Sequence, residues 1–344
     1  MADNNPVKIL ITGGAGFIGA NTAHHYLQQG KSVTILDNFS RPNVHKNVKW
    51  LRKLDKRLKV VFADVSFDRE ILGEEVEKAD AVIHLAAQVA VTSSIDDPRE
   101  DFDVNALGTL NVLEAIRKSK NKPPIIYAST NKVYGAMEKV SIRVNKSRYV
   151  YTDFPNGISE DFQLDFHSPY GCSKGAADQY VGDYARIYGL KTAVFRQSCI
   201  YGPRQFGIED QGWVAWFIIA AVLGRPITIY GDGKQVRDLL YIDDLVSLFD
   251  LTFKKIDKVS GQAFNIGGGP KFTISVWREF EPLLTKYLGK KIKVKYSDWR
   301  LGDQKVYVSD IRKTKKLLGW TPKVGVKEGL EKLVSWVQEN KELF

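Results

Sequence analysis

Cysteine is nearly absent: Cys172 and Cys199 are the only two in 344 residues. That excludes a disulfide-stapled fold and points to a reducing, cytoplasmic setting. Neither cysteine has a partner at metal-ligand spacing, so no metal site is expected. Histidine is also scarce, at five residues, and His84 at a strand end and His167 in a loop are expected to be packing or surface groups. No run approaches the roughly 18 apolar residues of a membrane helix. The N-terminal MADNNPVKIL enters a strand pattern directly, so no signal peptide is expected. Pro/Ser-rich linkers, low-complexity tracts and fixed-period repeats are all missing. Acidic residues are outnumbered, which leaves a net charge of +10. The surplus is scattered through stretches such as KNVKWLRKLDKRLK (46–59) and KKIKVK (290–295), interleaved with apolar residues. That is the pattern of solvated faces, so neither nucleic acid nor membrane is expected as a partner.

What the chain does have is alternation. Residues 7–12 (VKILIT) form a continuous apolar run, the mark of a strand buried on both faces of a parallel sheet. A glycine-rich turn and an amphipathic helix ending near Gly30 follow. Further strands are expected at 32–37, 58–64, 81–86, 124–129 and 190–195, separated by helices that are clearest at 99–119 and 169–189. This predicts an α/β fold, a Rossmann-like doubly wound parallel sheet with right-handed crossovers. After about residue 200 the pattern loosens. Short strands at 227–232, 262–267 and 291–296 mix with helices near 212–223, 243–255, 273–287 and 326–340. The expected organisation is a dinucleotide-binding domain over 1–195 and a smaller α+β, mainly substrate-binding domain over 196–344. Strand exchange back to the first domain and a ligand cleft between the two are also expected.

The first turn carries chemistry. TGGAGFIG (12–19) satisfies GxGxxG at Gly14, Gly16 and Gly19, and GxxGxxG at Gly13, Gly16 and Gly19, with Phe17 and Ile18 opening the helix. Because it follows a buried strand, it reads as a pyrophosphate cradle at a helix N-terminus. Asp37 ends the second strand, where a carboxylate takes a ribose 2′-hydroxyl and repels a 2′-phosphate. NAD is therefore expected over NADP, a preference that nearby Arg41 tempers; Asn38 lies between them. Asp64, followed by Val65, ends the third strand, where a carboxylate can accept from the adenine amino group or serve only the turn. Leu85, Ala86 and Ala87, at the end of the expected 81–86 strand, are also expected to contact the cofactor.

Two later motifs suggest acid/base work. YASTNKVYG (127–135) places Thr130 at a strand end, and PYGCSK (169–174) places Tyr170 and Lys174 four apart on one helix face. A tyrosine titrates near pH ~10 in isolation, and an adjacent ammonium favours the phenolate. Tyr170 can then exchange a proton with a substrate hydroxyl, Thr130 can hydrogen-bond that hydroxyl, and Lys174 can also hold a nicotinamide ribose.

TGGAGFIG, Asp37, HLAA (84–87), Asn105 in DFDVNALGT, the strand-end hydroxyl and YxxxK together resemble the extended short-chain dehydrogenase/reductases that modify nucleotide sugars. The resemblance runs through YGDGKQVRD (230–238) and RLGDQ (300–304). It implies tightly held, recycled NAD contacted also by Asn105, and a nucleoside-diphosphate sugar gripped by Arg237, Arg300 and Asp303. It further implies sugar contacts at Gln88, Asn131, Lys132, Gln197 and Cys199, and a homodimer built on helices 99–119 and 169–189. Cys199 stands where many members have asparagine. The 4,6-dehydratases of this family carry Asp-Glu directly after the strand-end Thr, to protonate the leaving hydroxyl and abstract a proton. Asn131-Lys132 supplies neither group, so the expectation is an isomerase, an epimerase that oxidises a carbinol and re-reduces the ketone on its other face.

HLAAQVAVTSSIDDP (84–98), STNKVYG (129–135), LDFHSPYGCSKGAADQY (164–180) and DQGWVAWF (210–217) resemble the branch that inverts carbon 2 of a CDP-linked 3,6-dideoxyhexose for bacterial surface polysaccharides. A 4-epimerase, a 2-epimerase of another nucleotide hexose such as CDP-glucose or GDP-mannose, a net dehydrogenase and a non-catalytic dinucleotide-binding regulator are the other readings. The long connection 136–168 is expected to shape sugar selectivity or to be an inert excursion. Trp213 and Trp216 are expected in helix packing, with Gln211 or Trp213 open to a place beside the substrate.

Overall fold

A computed structural model describes residues 7–300 and 303–344. The N-terminal MADNNP and the middle of the RLGDQ motif, Leu301 and Gly302, lie outside the described residues.

The chain divides into two compact units, each assembled from separate segments. The first comprises residues up to Ser129, Pro169–Phe195 and Val246–Ala263; the second comprises Thr130–Ser168, Arg196–Leu245 and Phe264–Phe344. Of the crossings between them, one falls at 195–196, and the others insert 130–168 into the second unit and 246–263 into the first.

A seven-stranded sheet organises the first unit. Its strands β1 (Lys8–Thr12), β2 (Ser32–Asp37), β3 (Lys59–Phe62), β4 (Ala81–His84) and β5 (Ile125–Thr130) are joined by Thr192–Gln197 and Gln262–Ile266. Their order across the sheet is Gln262–Ile266, Thr192–Gln197, β5, β4, β1, β2, β3. The β1–β2, β1–β4, β2–β3 and β4–β5 pairs are parallel. The doubly wound expectation therefore holds. The continuous apolar runs have the reason inferred from sequence: Ile9, Leu10 and Ile11 are all buried, each contributing about 1.5–3 kcal/mol on removal from water. Leu10, Leu36, Val82, Ile125 and Val194 join Val112, Leu113, Ile116, Ala177 and Val181 from the covering helices in one core.

Three expected elements differ. The helix expected over 99–119 is broken into Pro98–Phe102, a π-helical turn Asp103–Leu107 and Gly108–Lys118. The helix expected over 273–287 begins only at Phe280, after a strand Thr273–Ser275. There Ser275 donates its backbone N–H to Glu279 and its hydroxyl accepts the Glu279 N–H, fixing a turn in place of the first helical turns. The strand expected over 291–296 shrinks to Lys295–Ser297.

In the second unit the 136–168 connection is ordered. It forms an antiparallel hairpin, Ile142–Asn145 with Arg148–Tyr151. Its Phe154, Phe162, Leu164 and Phe166 pack on buried Val133, Tyr134, Ile158 and Tyr307. Among the described residues, no helix is long and apolar enough to cross a membrane, and no His/Cys/Asp/Glu group has the makings of a metal site.

Candidate active site

In the first unit, the turn between β1 and helix α1 (Phe17–Gln28) is shaped by glycines that leave no room for side chains. Gly13 has φ +66°, and a Cβ there would sit 2.6 Å from the Ala86 backbone nitrogen; one at Gly19 would sit 2.4 Å from the Gly13 carbonyl oxygen. Gly13→Ala combines a left-handed backbone with a backbone clash, and we expect it to cost about 2 kcal/mol or more of stability. Thermal melting checks this, with unchanged melting as the contrary result.

Asp37 closes the cradle from β2. Its carboxylate accepts from the Ala15 N–H at 2.9 Å and the Phe39 N–H at 2.8 Å. Burial raises its pKa, opposed by those two hydrogen bonds and by the Arg41 charge. Asn38 donates to Asp64 at 2.6 Å, and the other Asp64 oxygen accepts from Ser66 N–H, so the expected adenine-side residues form one bonded cluster. Val65 is buried beside them. An Asp at the β2 end, a carboxylate at the β3 end and a side-chain-free loop at a helix N-terminus together suit an adenine dinucleotide without a 2′-phosphate.

Behind the strand ends lies a polar chain whose protons can be assigned. The Thr109 hydroxyl donates to the Asn105 carbonyl at 2.6 Å, so it must accept from His84 Nε2 at 3.0 Å. His84 Nδ1 then accepts from the Thr12 hydroxyl at 2.6 Å. Burial pushes the His84 pKa down to about 3, so the ring stays neutral. It is a packing residue, as expected, and it ties β1 to the π-helical turn that carries Asn105. The Asn105 amide donates to Asp101 at 3.0 Å and to Ser173 at 3.1 Å, while its own buried oxygen lacks a hydrogen-bond partner.

Tyr170 and Lys174 lie in the first turns of helix Ser168–Tyr188, both buried. The Tyr170 N–H donates to Ser94 Oγ at 3.2 Å. Lys174 Nζ donates to the Ala128 carbonyl of β5 at 2.6 Å and stands 4.3 Å from the Tyr127 ring centre. Burial drives its pKa down to about 7, against the upward pull of the Asp178 and Asp101 carboxylates. These two buried carboxylates escaped the sequence reading, although Asp178 lies four residues after Lys174 and Asp101 four before Asn105. Asp178 also accepts from Ser129, the residue before Thr130, at 2.7 Å. Asp178→Asn keeps that acceptor and removes the charge, so the Lys174 cation is lost at lower pH. We expect the alkaline limb of kcat/KM to move down by about one pH unit; an unmoved limb would separate Asp178 from Lys174 function.

The second unit holds the other expected residues. Thr130 is buried and caps a 3₁₀ turn, Asn131–Tyr134, accepting from the Lys132 N–H at 3.2 Å. Asn131 donates to Gln304 at 3.0 Å. Asp303 takes the Arg237 guanidinium at 2.8 Å and lies 3.9 Å from Lys132 Nζ. Burial lowers the Lys132 pKa, with Asp303 opposing and the Arg237 charge adding to it. Arg300 lies 3.9 Å over the Tyr230 ring and pairs with Asp210 at 2.9 Å. Gln197 is buried with its amide nitrogen unpartnered. Cys199 receives the Trp213 indole N–H at 3.4 Å, and burial raises its thiol pKa. Trp213 stacks edge-on with Phe217 and Phe280, the expected packing role. Back in the first unit, Gln88 spends both ends of its amide on the Ala90 backbone.

Fold and site define a dinucleotide-dependent enzyme of the short-chain dehydrogenase/reductase type. Residues 9–267 match the NAD dependent epimerase/dehydratase family, and the chain belongs to it; its cofactor is NAD. It is 45% identical over 336 residues to CDP-paratose 2-epimerase of Salmonella typhi, covering 96% of this chain and 99% of the relative. UDP-glucose 4-epimerase of Thermotoga maritima, solved with UDP-glucose, superposes with a TM-score of 0.83 at 32% identity, covering 97% of this chain and 100% of that one. UDP-glucuronic acid 4-epimerase of Bacillus cereus, solved with its sugar nucleotide and NAD, gives 0.83 at 28% identity, covering 98% and 100%.

Proposed function

We propose that the protein inverts carbon 2 of a CDP-linked 3,6-dideoxyhexose, interconverting CDP-paratose and CDP-tyvelose. The single observation that carries this is the relationship to CDP-paratose 2-epimerase over almost the full length of both chains. It is supported by Asn131-Lys132 after Thr130, which offers no carboxylic acid for elimination. NAD, bound by the glycine cradle, Asp37, Asn38, Asp64 and Lys174, supplies a hydride acceptor and then its donor. Arg41, Phe17, Ile18, Val65, Leu85, Ala86, Ala87 and Asn105 complete its surroundings.

Tyr170 takes the proton of the carbon-2 hydroxyl as the carbinol becomes a ketone and returns it on reduction. Thr130 hydrogen-bonds the same oxygen. Lys174 lies one helical turn from Tyr170, and Asp101 and Asp178 favour its charged form against the burial that lowers its pKa. Arg237 and Arg300 grip the diphosphate through their planar donor forks, and Asp303 takes a hydroxyl of the nucleoside. Lys132 and Gln197 donate to sugar oxygens, and Cys199, backed by Trp213, borders the sugar. Lys132→Ala is expected to lower turnover about tenfold or more with NAD content unchanged; unaltered kinetics would remove Lys132 from the site.

The same reading makes the protein a cytoplasmic homodimer. Phe102, Tyr180, Ile187 and Tyr188 remain substantially exposed on the two helical segments expected to pair. Incubation with CDP-paratose and no added NAD tests the function: proton NMR should show CDP-tyvelose accumulating to equilibrium. Inversion at carbon 4 instead, or conversion only when NAD is added in stoichiometric amounts, would contradict it.

A further inference from the structure

Gln304 is fully buried, and its two amide ends are committed. Its nitrogen donates to the Gly135 carbonyl at 2.6 Å and also faces the Met137 sulfur at 3.5 Å. The Gly135 carbonyl cannot turn away freely. Gly135 closes the turn behind Thr130 with φ +70°, and a Cβ there would lie 2.3 Å from the Asp165 carbonyl oxygen. A backbone carbonyl only accepts, so Gln304 must keep its nitrogen toward Gly135 and present its oxygen to Asn131. Asn131 must in turn offer its amide nitrogen, at 3.0 Å. Its Oδ1 is thereby fixed as the amide atom turned away from Gln304, and Gln304 is the only polar side-chain partner of Asn131 among the described residues. The neighbouring Asp303 side chain holds Arg237 and lies near Lys132, so consecutive residues serve the phosphate grip and this relay.

We propose that Gln304 is a positioning residue for sugar selection: it locks Asn131 so that Oδ1, one residue from Thr130, accepts a hydrogen bond from a sugar hydroxyl. This rests on the functional reading above, and it sharpens it. A 3,6-dideoxyhexose linked through its anomeric oxygen has free hydroxyls at carbons 2 and 4 only. Carbon 2 reacts at Thr130 and Tyr170, so the hydroxyl that Asn131 accepts from is the one on carbon 4. An amide whose orientation is set by the backbone discriminates better than one free to flip, because the wrong partner leaves an acceptor unpaired.

The test compares CDP-paratose with its 4-deoxy-4-fluoro analogue, which cannot donate from carbon 4. The wild-type protein should lose about tenfold in kcat/KM on the analogue. Gln304→Met and Asn131→Ala should lose about tenfold on CDP-paratose yet act on the analogue within about twofold of wild type. NAD content and melting temperature monitor folding, and Asn131→Ala carries the test where Gln304→Met fails to fold. Equal losses by the variants on both compounds would make the pair merely structural and overturn the proposal, as would a wild type indifferent to the fluorine. A wild type that inverts neither compound at carbon 2 would overturn the functional reading itself, and this inference with it.

Discussion

Tyr170→Phe should lower turnover by about 10²–10⁴-fold while NAD stays bound at the wild-type level. The phenol is the group in YxxxK assigned here to carry the proton released when a carbinol becomes a ketone. Its setting favours that work. Tyr170 is buried at the start of its helix, with Lys174 one turn on, and the partly buried Arg41 adds a second positive charge that acts on it. The Tyr170 N–H bond to Ser94 comes from the backbone and survives the substitution. Phenylalanine keeps the ring packing, so the loss isolates the hydroxyl. Initial rates with CDP-paratose, alongside NAD released on denaturation, check the claim. Turnover within about tenfold of wild type would assign the proton to another group.

Arg237→Ala should raise KM by about 100-fold or more, with a smaller fall in kcat. The Arg237 side chain is only 9% exposed, and one guanidinium nitrogen reaches Asp303 while another donates to the carbonyl of the preceding residue, Val236, at 2.8 Å. A buried fork held at two points is preorganised for a diphosphate, so its binding energy is not spent on ordering. Asp303 has the Lys132 ammonium 3.9 Å away as a remaining cation, so the fold is expected to survive the substitution. Arg237→Lys should recover only part of the affinity, since an ammonium cannot make the bidentate contact. Calorimetry with CDP gives the same comparison without turnover; equal affinity in all three proteins would move the diphosphate elsewhere.

How much of this was legible in the sequence depends on the range of the forces involved. The glycine cradle, Asp37 and the YxxxK pair were readable because backbone geometry fixes their spacing: Gly13 and Gly19 have no room for a Cβ, and four residues bring Tyr170 and Lys174 to one helix face. The hairpin within 136–168 was not readable. Its two-residue turn, Lys146-Ser147 between paired Asn145 and Arg148, lacks the glycine that usually announces one. The π-helical turn around Asn105 left no periodic mark; besides a local bond to Asp101, Asn105 is held by a tertiary bond to Ser173. Asp178 had a local signal in its spacing from Lys174, whereas nothing local could bring Gln304 to Asn131, 173 positions away.

The central claim is transient oxidation at carbon 2 with return of the same hydride, and an incubation of the purified protein with CDP-paratose in heavy water tests it most directly. Proton and deuterium NMR of the products should show inversion at carbon 2 with the original hydrogen retained there. Deuterium at carbon 2 of the inverted product would mean that a proton, not a hydride, leaves that carbon. That result would contradict hydride transfer to NAD and proton exchange at Tyr170 and Thr130.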